Sequence, residues 1–207
     1  MIPYSRQNID DKDIEEIIKV LKSDYLTTGP KVSEFEEKFA NYIGTKFAIA
    51  VSSGTAALHL GCIAAGLGKD DEILTSPLTF AADGNCALYC QAKPKFVDIT
   101  SQGLIDPNKI QEKINEKTKI LIPVDYAGFP CDLESLKQIA KENNLTLMED
   151  CSHALGAKFN NTRLGNGNYA DMSIFSFHPV KHITTGEGGM ITTNSKKLYE
   201  KTDTNER

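Results

Sequence analysis

The chain has 207 residues, 40% of them hydrophobic and 25% charged, and a formal net charge of −5. That length supports one large α/β core, and charges of both signs are interspersed with no basic block, which disfavours a nucleic-acid surface. The opening MIPYSRQNIDDKD lacks a basic n-region and an apolar h-region, and no apolar run is long enough to span a bilayer, so a cytoplasmic protein without membrane or nucleic-acid partners is expected.

Residues 9 to 23 place Ile9, Ile14, Ile17, Ile18 and Leu21 at helical spacing, with Asp10, Asp11 and Asp13 where the helix dipole favours them. After the turn at Thr27 to Pro30, Phe35, Phe39 and Tyr42 mark a second helix, with Ser33 as its expected cap and Gly44 as its end. Strands and helices then alternate. Phe47 to Val51, Glu72 to Thr75, Pro94 to Ile99, Ile120 to Val124 and Leu145 to Met148 read as strands. Ala56 to Leu67 and Thr79 to Cys90 read as helices, as do segments capped by Asp106 (through Ile110 and Ile114) and by Asp132. Such alternation predicts βαβ units and a mostly parallel sheet with helices on both faces. From Asp171 to Thr193 an apolar strand, a polar turn, a glycine cluster and a second strand follow. Beyond Ser195 the helical signal ends after Tyr199, so that end is expected to fray.

Cys62, Cys86, Cys90, Cys131 and Cys151 are odd in number, scattered, and free of any CxxC pair. Buried, reduced thiols are expected, and no metal site.

Several residues have the chemistry of a site. Ser52 to Leu58 joins a strand end to a helix start, where Gly54 and Thr55 serve either an N-cap or a bound phosphate. Phe80 follows another strand end and reads as a core residue or as a ring that stacks on a planar ligand. Glu149 and Asp150 end a strand where open α/β sheets place ligands, and His153 follows; alone, each also reads as structural. Asp125 is similarly placed, without a sharp role. Ser176 is a hydroxyl inside an apolar strand and needs a partner. Lys181 alone would be a surface lysine. On a turn held out of bulk water it would have a lowered pKa and serve as a nucleophile or proton shuttle.

Taken together, these segments resemble the DegT/StrS family of sugar aminotransferases. SSGTAALHL resembles that family's phosphate loop, SPLTFAADGN its ring-stacking segment, EDCSHALGA its pyridinium-aspartate segment, and FSFHPVKHITTGEGGM its lysine segment. The resemblance implies an α/β fold, the large domain of fold-type I pyridoxal-phosphate transferases, with a mostly parallel mixed sheet in three α/β/α layers. It implies pyridoxal 5′-phosphate as cofactor. Thr55, Ala56 and Ser176 would hold the phosphate and Phe80 stack on the ring. Asp150 would pair with the ring nitrogen, His153 lie near the ring hydroxyl, and Lys181 form the aldimine.

It also implies the reaction. Glutamate would donate an amino group to the C4 keto group of a UDP-linked 4-keto-6-deoxy amino sugar. A branch of the family has histidine in place of the lysine and dehydrates such sugars; here the lysine is present. Residues 1–30 would form an N-terminal helix and active-site loop, and residues 31–207 the cofactor-binding large domain. A homodimer and a further small C-terminal domain are implied, so the chain is expected to correspond to the cofactor-binding half and to be a poor enzyme by itself.

Overall fold

The computed structural model describes Ile2 and residues 5–206; Met1, Pro3, Tyr4 and Arg207, which close the two domain ranges expected above, lie outside the described residues. Asp10 opens α1 (Asp11–Leu21) with a reciprocal cap: it accepts from the N–H groups of Lys12 and Asp13, and Asp13 accepts from the Asp10 N–H. The apolar stripe of α1 buries no residue, and Ile14, Ile17, Ile18 and Leu21 are all exposed. α2 (Pro30–Ile43) begins earlier than Ser33 predicts. Gly29 is its N-cap and Pro30, whose fixed φ suits a first helical position, starts it, which leaves Ser33 inside the helix.

The remaining elements are β1 (Phe47–Val51), α3 (Gly54–Ala65), β2 (Glu72–Thr75), α4 (Ala82–Tyr89), β3 (Lys93–Phe96), β4 (Thr118–Ile122), α5 (Leu133–Glu142), β5 (Thr146–Asp150), β6 (Lys158–Phe159), β7 (Thr162–Arg163), β8 (Met172–Ser176), β9 (Gly189–Thr193) and α6 (Lys196–Glu206). Seven strands form one sheet in the order β1-β9-β8-β5-β4-β2-β3. From β8 to β3 the neighbours are parallel, while β9 runs antiparallel to both β8 and β1. The sheet is therefore mixed and mostly parallel, as expected. The two-residue strands β6 and β7 pair as a hairpin across Asn160 and Asn161, both at positive φ, a turn the hydrophobic pattern did not announce.

Two segments differ from the sequence reading. The helix expected from Asp106 to Ile114 is only a 3-10 turn at Pro107–Lys109. Asp106 does cap it, but the next turn closes i→i+3 from Lys113 to Ile110, and Asn115 then folds onto the Thr118 hydroxyl. Short polar side chains here satisfy the backbone locally and stop a helix from propagating. At the other end, α6 runs on to Glu206 although its sequence turns polar. Tyr199 stacks on Phe47 with centroids 4.6 Å apart, and the fully buried Thr202 donates its hydroxyl to the Leu198 carbonyl, so packing on β1 overrides the weak local signal.

Strand alternation divides the core into two layers. Ile49, Ile73, Ile120, Met148 and Ile174 face α3 and α4; Leu74, Leu121, Leu147, Phe175 and Met190 face α2 and α5. All five cysteines are unpaired, four of them buried and Cys90 partly so. No helix among the described residues is long and apolar enough to cross a membrane.

Candidate active site

The same alternation that points Met148 and Ile174 toward α3 carries Asp150 and Ser176 onto that face at the strand ends. There they meet the start of α3. Ser53 caps this helix: its Oγ accepts from the Ala56 N–H at 3.1 Å. The N–H groups of Gly54 and Thr55 make no hydrogen bond among the described residues and remain open to an anion. Glycine is required twice at this junction. A Cβ on Gly54 would stand 2.9 Å from the Ser176 Cβ, and one on Gly189 would collide with the Ser53 carbonyl. The helix start is thus wedged against β8 and β9.

A cleft of about 800 Å³ opens at this edge. Of the seven residues assigned from the sequence, Thr55, Phe80, Asp150, His153, Ser176 and Lys181 line it. Ala56 does not, and its N–H is taken by Ser53. Phe80 is 72% exposed and lies before α4, not inside a helix starting at Thr79; it is no core residue but an aromatic ring presented at the mouth.

The lysine loop hangs from Phe177. The Phe177 N–H donates to the Gly188 carbonyl, while its own carbonyl accepts from the Thr185 N–H and, at 2.8 Å, from the Thr184 hydroxyl. The Lys181 N–H donates to the His178 carbonyl at 2.9 Å and closes the turn. The Lys181 side chain is half-buried and makes no ion pair among the described residues. Burial lowers its pKa, opposed by the charges of Asp150 and Asp83. His153 packs on Tyr126 with ring centroids 5.6 Å apart, and its Nδ1 accepts from the Ala127 N–H at 3.5 Å, which leaves Nε2 to carry the proton. Burial, then the charge of Lys181, lowers its pKa.

Among the wall residues that escaped the sequence reading are Asp83, Tyr126, His178 and Glu187. The Asp83 carboxyl is fully buried and accepts from the Thr79 hydroxyl at 2.5 Å. Its place four residues after Thr79 was the available signal, an i,i+4 pair at a helix start. On the opposite face of the sheet, Asp125 gains a structural setting: its Oδ1 accepts from the Cys131 N–H at 2.8 Å, beside Glu149 and Cys151. Burial raises the pKa of both Asp125 and Glu149, which favours the protonated form of each.

A strand-end carboxylate, an open helix N-terminus and a half-buried lysine around one cleft of this sheet define a class, the cofactor-binding large domain of fold-type I pyridoxal-phosphate transferases. The chain belongs to the DegT/DnrJ/EryC1/StrS aminotransferase family, whose sequence profile matches residues 7–205. It is 46% identical over 204 residues to a UDP-4-amino-4,6-dideoxy-N-acetyl-beta-L-altrosamine transaminase of Campylobacter jejuni, covering 97% of this chain and 54% of that protein. Among solved structures it is similar to Helicobacter pylori PseC, an aminotransferase involved in the biosynthesis of pseudoaminic acid. That likeness has a TM-score of 0.91 and 37% identity, over 97% of this chain and 54% of that one. It is also similar to Spr1654 of Streptococcus pneumoniae in its PLP form, with a TM-score of 0.91 and 32% identity, over 98% of this chain and 57% of that one. The chain spans about half the length of the curated relatives it matches. The cofactor of this family is pyridoxal 5′-phosphate.

Proposed function

We propose that this chain is the cofactor-binding part of a sugar-nucleotide aminotransferase. The enzyme would transfer the amino group of glutamate to the C4 keto group of a UDP-linked 4-keto-6-deoxy amino sugar on a route to pseudaminic acid. The observation that carries this reading is the convergence of Lys181, Asp150 and the open N–H groups of Gly54 and Thr55 on one cleft. Likeness to the C. jejuni transaminase and to PseC supports the substrate class.

The residues fit the cofactor. Open N–H groups at a helix start, with the hydroxyls of Thr55 and Ser176, suit a phosphate; Phe80 offers a ring face, and Asp150 offers a carboxylate anchored by the Ser152 N–H at 2.9 Å. When bound, pyridoxal phosphate supplies an aldehyde that accepts the amino group and a ring that draws electrons from the reacting carbon. The protein's own part follows from its geometry. Lys181, its pKa lowered by burial, would hold the cofactor through its amine and could serve as a proton acceptor and donor at Nζ. Asp150 would face the ring nitrogen and favour a proton there, which would stabilise negative charge that develops during the reaction. His153 would lie near the ring hydroxyl.

In this reading residues 1–30 carry the N-terminal helix and an active-site loop, and residues 31–207 the large domain. The Ser5 hydroxyl donates to the Val180 carbonyl beside Lys181, which supports an N-terminal segment laid against the site. The enzyme is a cytoplasmic homodimer, and the bare apolar face of α1 supports the association. A lysine at position 181, with His182 beside it, favours transamination over dehydration. The test is product analysis of the protein as encoded, supplied with glutamate and a UDP-linked 4-keto sugar. Formation of the 4-amino sugar is expected; a dehydrated sugar, or no product, contradicts the proposal.

A further inference from the structure

Beside the carboxylate assigned to the ring nitrogen stands a second buried acid, Asp83. It is 0% exposed and Asp150 is 5% exposed, and both line the cleft. The Asp83 Oδ2 accepts from the Thr79 hydroxyl at 2.5 Å, while Oδ1 is buried without a hydrogen-bond partner. The Asp150 carboxyl lies within hydrogen-bonding reach of Asp83. Its Oδ1 is engaged by the Ser152 N–H.

Two ionised carboxylates in this arrangement would leave acceptor facing acceptor in a dry wall, and a buried acceptor without a donor is costly. One proton resolves both defects. It converts the orphan Oδ1 into a donor and removes one of two adjacent like charges. The Thr79 hydroxyl marks Oδ2 as the accepting oxygen, so the proton sits on Oδ1.

We propose that Asp83 and Asp150 form a carboxyl–carboxylate pair sharing one proton, carried by Asp83, which acts as a positioning residue for the Asp150 carboxylate. The pair rests on the shared cleft wall, the burial of both carboxyls and the orphaned Oδ1 of Asp83. Its use rests on the reading of Asp150 as the ring-nitrogen partner: a donor behind the carboxylate would hold it in place toward the ring. The ionisable groups acting on Asp83 are Asp150 from β5 and Cys86 from its own helix, and Lys181 senses Asp83 across the cleft. Burial and the Asp150 charge favour the protonated form of Asp83, while the Thr79 hydroxyl opposes it.

The test needs no cofactor. The protein as encoded, stripped of cofactor and labelled with carboxyl-13C aspartate, is compared by infrared spectroscopy with Asp83→Asn at pH 7. The label separates aspartate from glutamate bands, and the difference removes the contribution of Asp125. Loss of a protonated-carboxyl C=O band in Asp83→Asn is expected; loss of carboxylate bands alone would overturn the pair. Should Asp83→Asn fail to fold, the same band is followed against pH in the wild type and in Asp150→Asn. With an amide in place of the neighbouring charge, the Asp83 band must disappear at lower pH than in the wild type; an unchanged titration would overturn the pair. Pyridoxal phosphate is then added to each protein. A protein that shows the shared proton but binds no cofactor contradicts the proposed function and leaves the pair standing. One that binds cofactor with Asp83 ionised contradicts the pair alone.

Discussion

Glu149 and Asp150 are consecutive in β5, yet their carboxyls serve opposite faces of one sheet. Glu149 Oε2 accepts from the Ser173 hydroxyl at 2.8 Å and the Gly165 N–H at 3.2 Å on the α2 and α5 side, while Asp150 lines the cleft beside α3. The pleat that separates them turns one into the core and the other onto the cleft.

The buried acids should make stability fall with pH. Asp125 and Glu149 have pKa values raised by burial, so the folded state keeps protons that the unfolded chain releases. Their contribution is complete below the unfolded values, near pH 4, and is lost as pH rises toward the folded ones. Asp125→Asn retains an acceptor for the Cys131 N–H and offers Glu149 a donor without a shared proton. Urea midpoints of this variant from about pH 5 to pH 8 should fall less steeply than those of the wild type. Parallel slopes would show that the pair does not titrate as described.

Gly189→Ala should destabilise the domain by about 1–3 kcal/mol, since the new methyl meets the Ser53 backbone, which cannot swing aside as a flexible side chain would. A urea denaturation series measures this. Loosening of the α3 start should also weaken pyridoxal-phosphate binding in the same variant, because the open N–H groups of Gly54 and Thr55 lie at that contact. Unchanged stability with unchanged binding would remove the wedge from the account.

Asp150→Ala should lower turnover of the protein as encoded by about 100-fold or more while affecting cofactor retention far less, because the lost contact stabilises charge present mainly during reaction. Single-turnover amine transfer and cofactor titration measure the two effects separately. Near-normal single-turnover rates would remove Asp150 from its proposed place.

Ile17→Glu on α1 should leave folding intact, since α1 contributes no buried residue, and should weaken association of the proposed dimer. Sedimentation of the protein as encoded distinguishes this from an unaffected or monomeric wild type.

Much of this was legible in the sequence because the signals were local. Strand–turn–helix alternation placed β1, α3, β2 and β5, and the runs around Gly54, Asp150 and Lys181 were long enough to identify the family. What stayed hidden depended on tertiary packing. Asp83 carried no mark of the site beyond its spacing from Thr79, and only the packing of α4 brings it, fully buried, into the wall of the cleft that Asp150 lines. Polar α6 gained its order from Phe47, far away in sequence. The reversal of β9 between β1 and β8 is likewise a matter of sheet closure, which apolar runs do not encode.

The central claim is that Lys181 bears the cofactor. Its pKa is lowered, so at mildly alkaline pH a larger share of its amine is unprotonated than in an exposed lysine. The direct measurement is borohydride reduction of the protein as encoded with bound pyridoxal phosphate, followed by peptide mapping. The account predicts one stable adduct, on Lys181, absent from Lys181→Ala. An adduct on another lysine, such as Lys158, or labelling spread over the surface lysines, would contradict it.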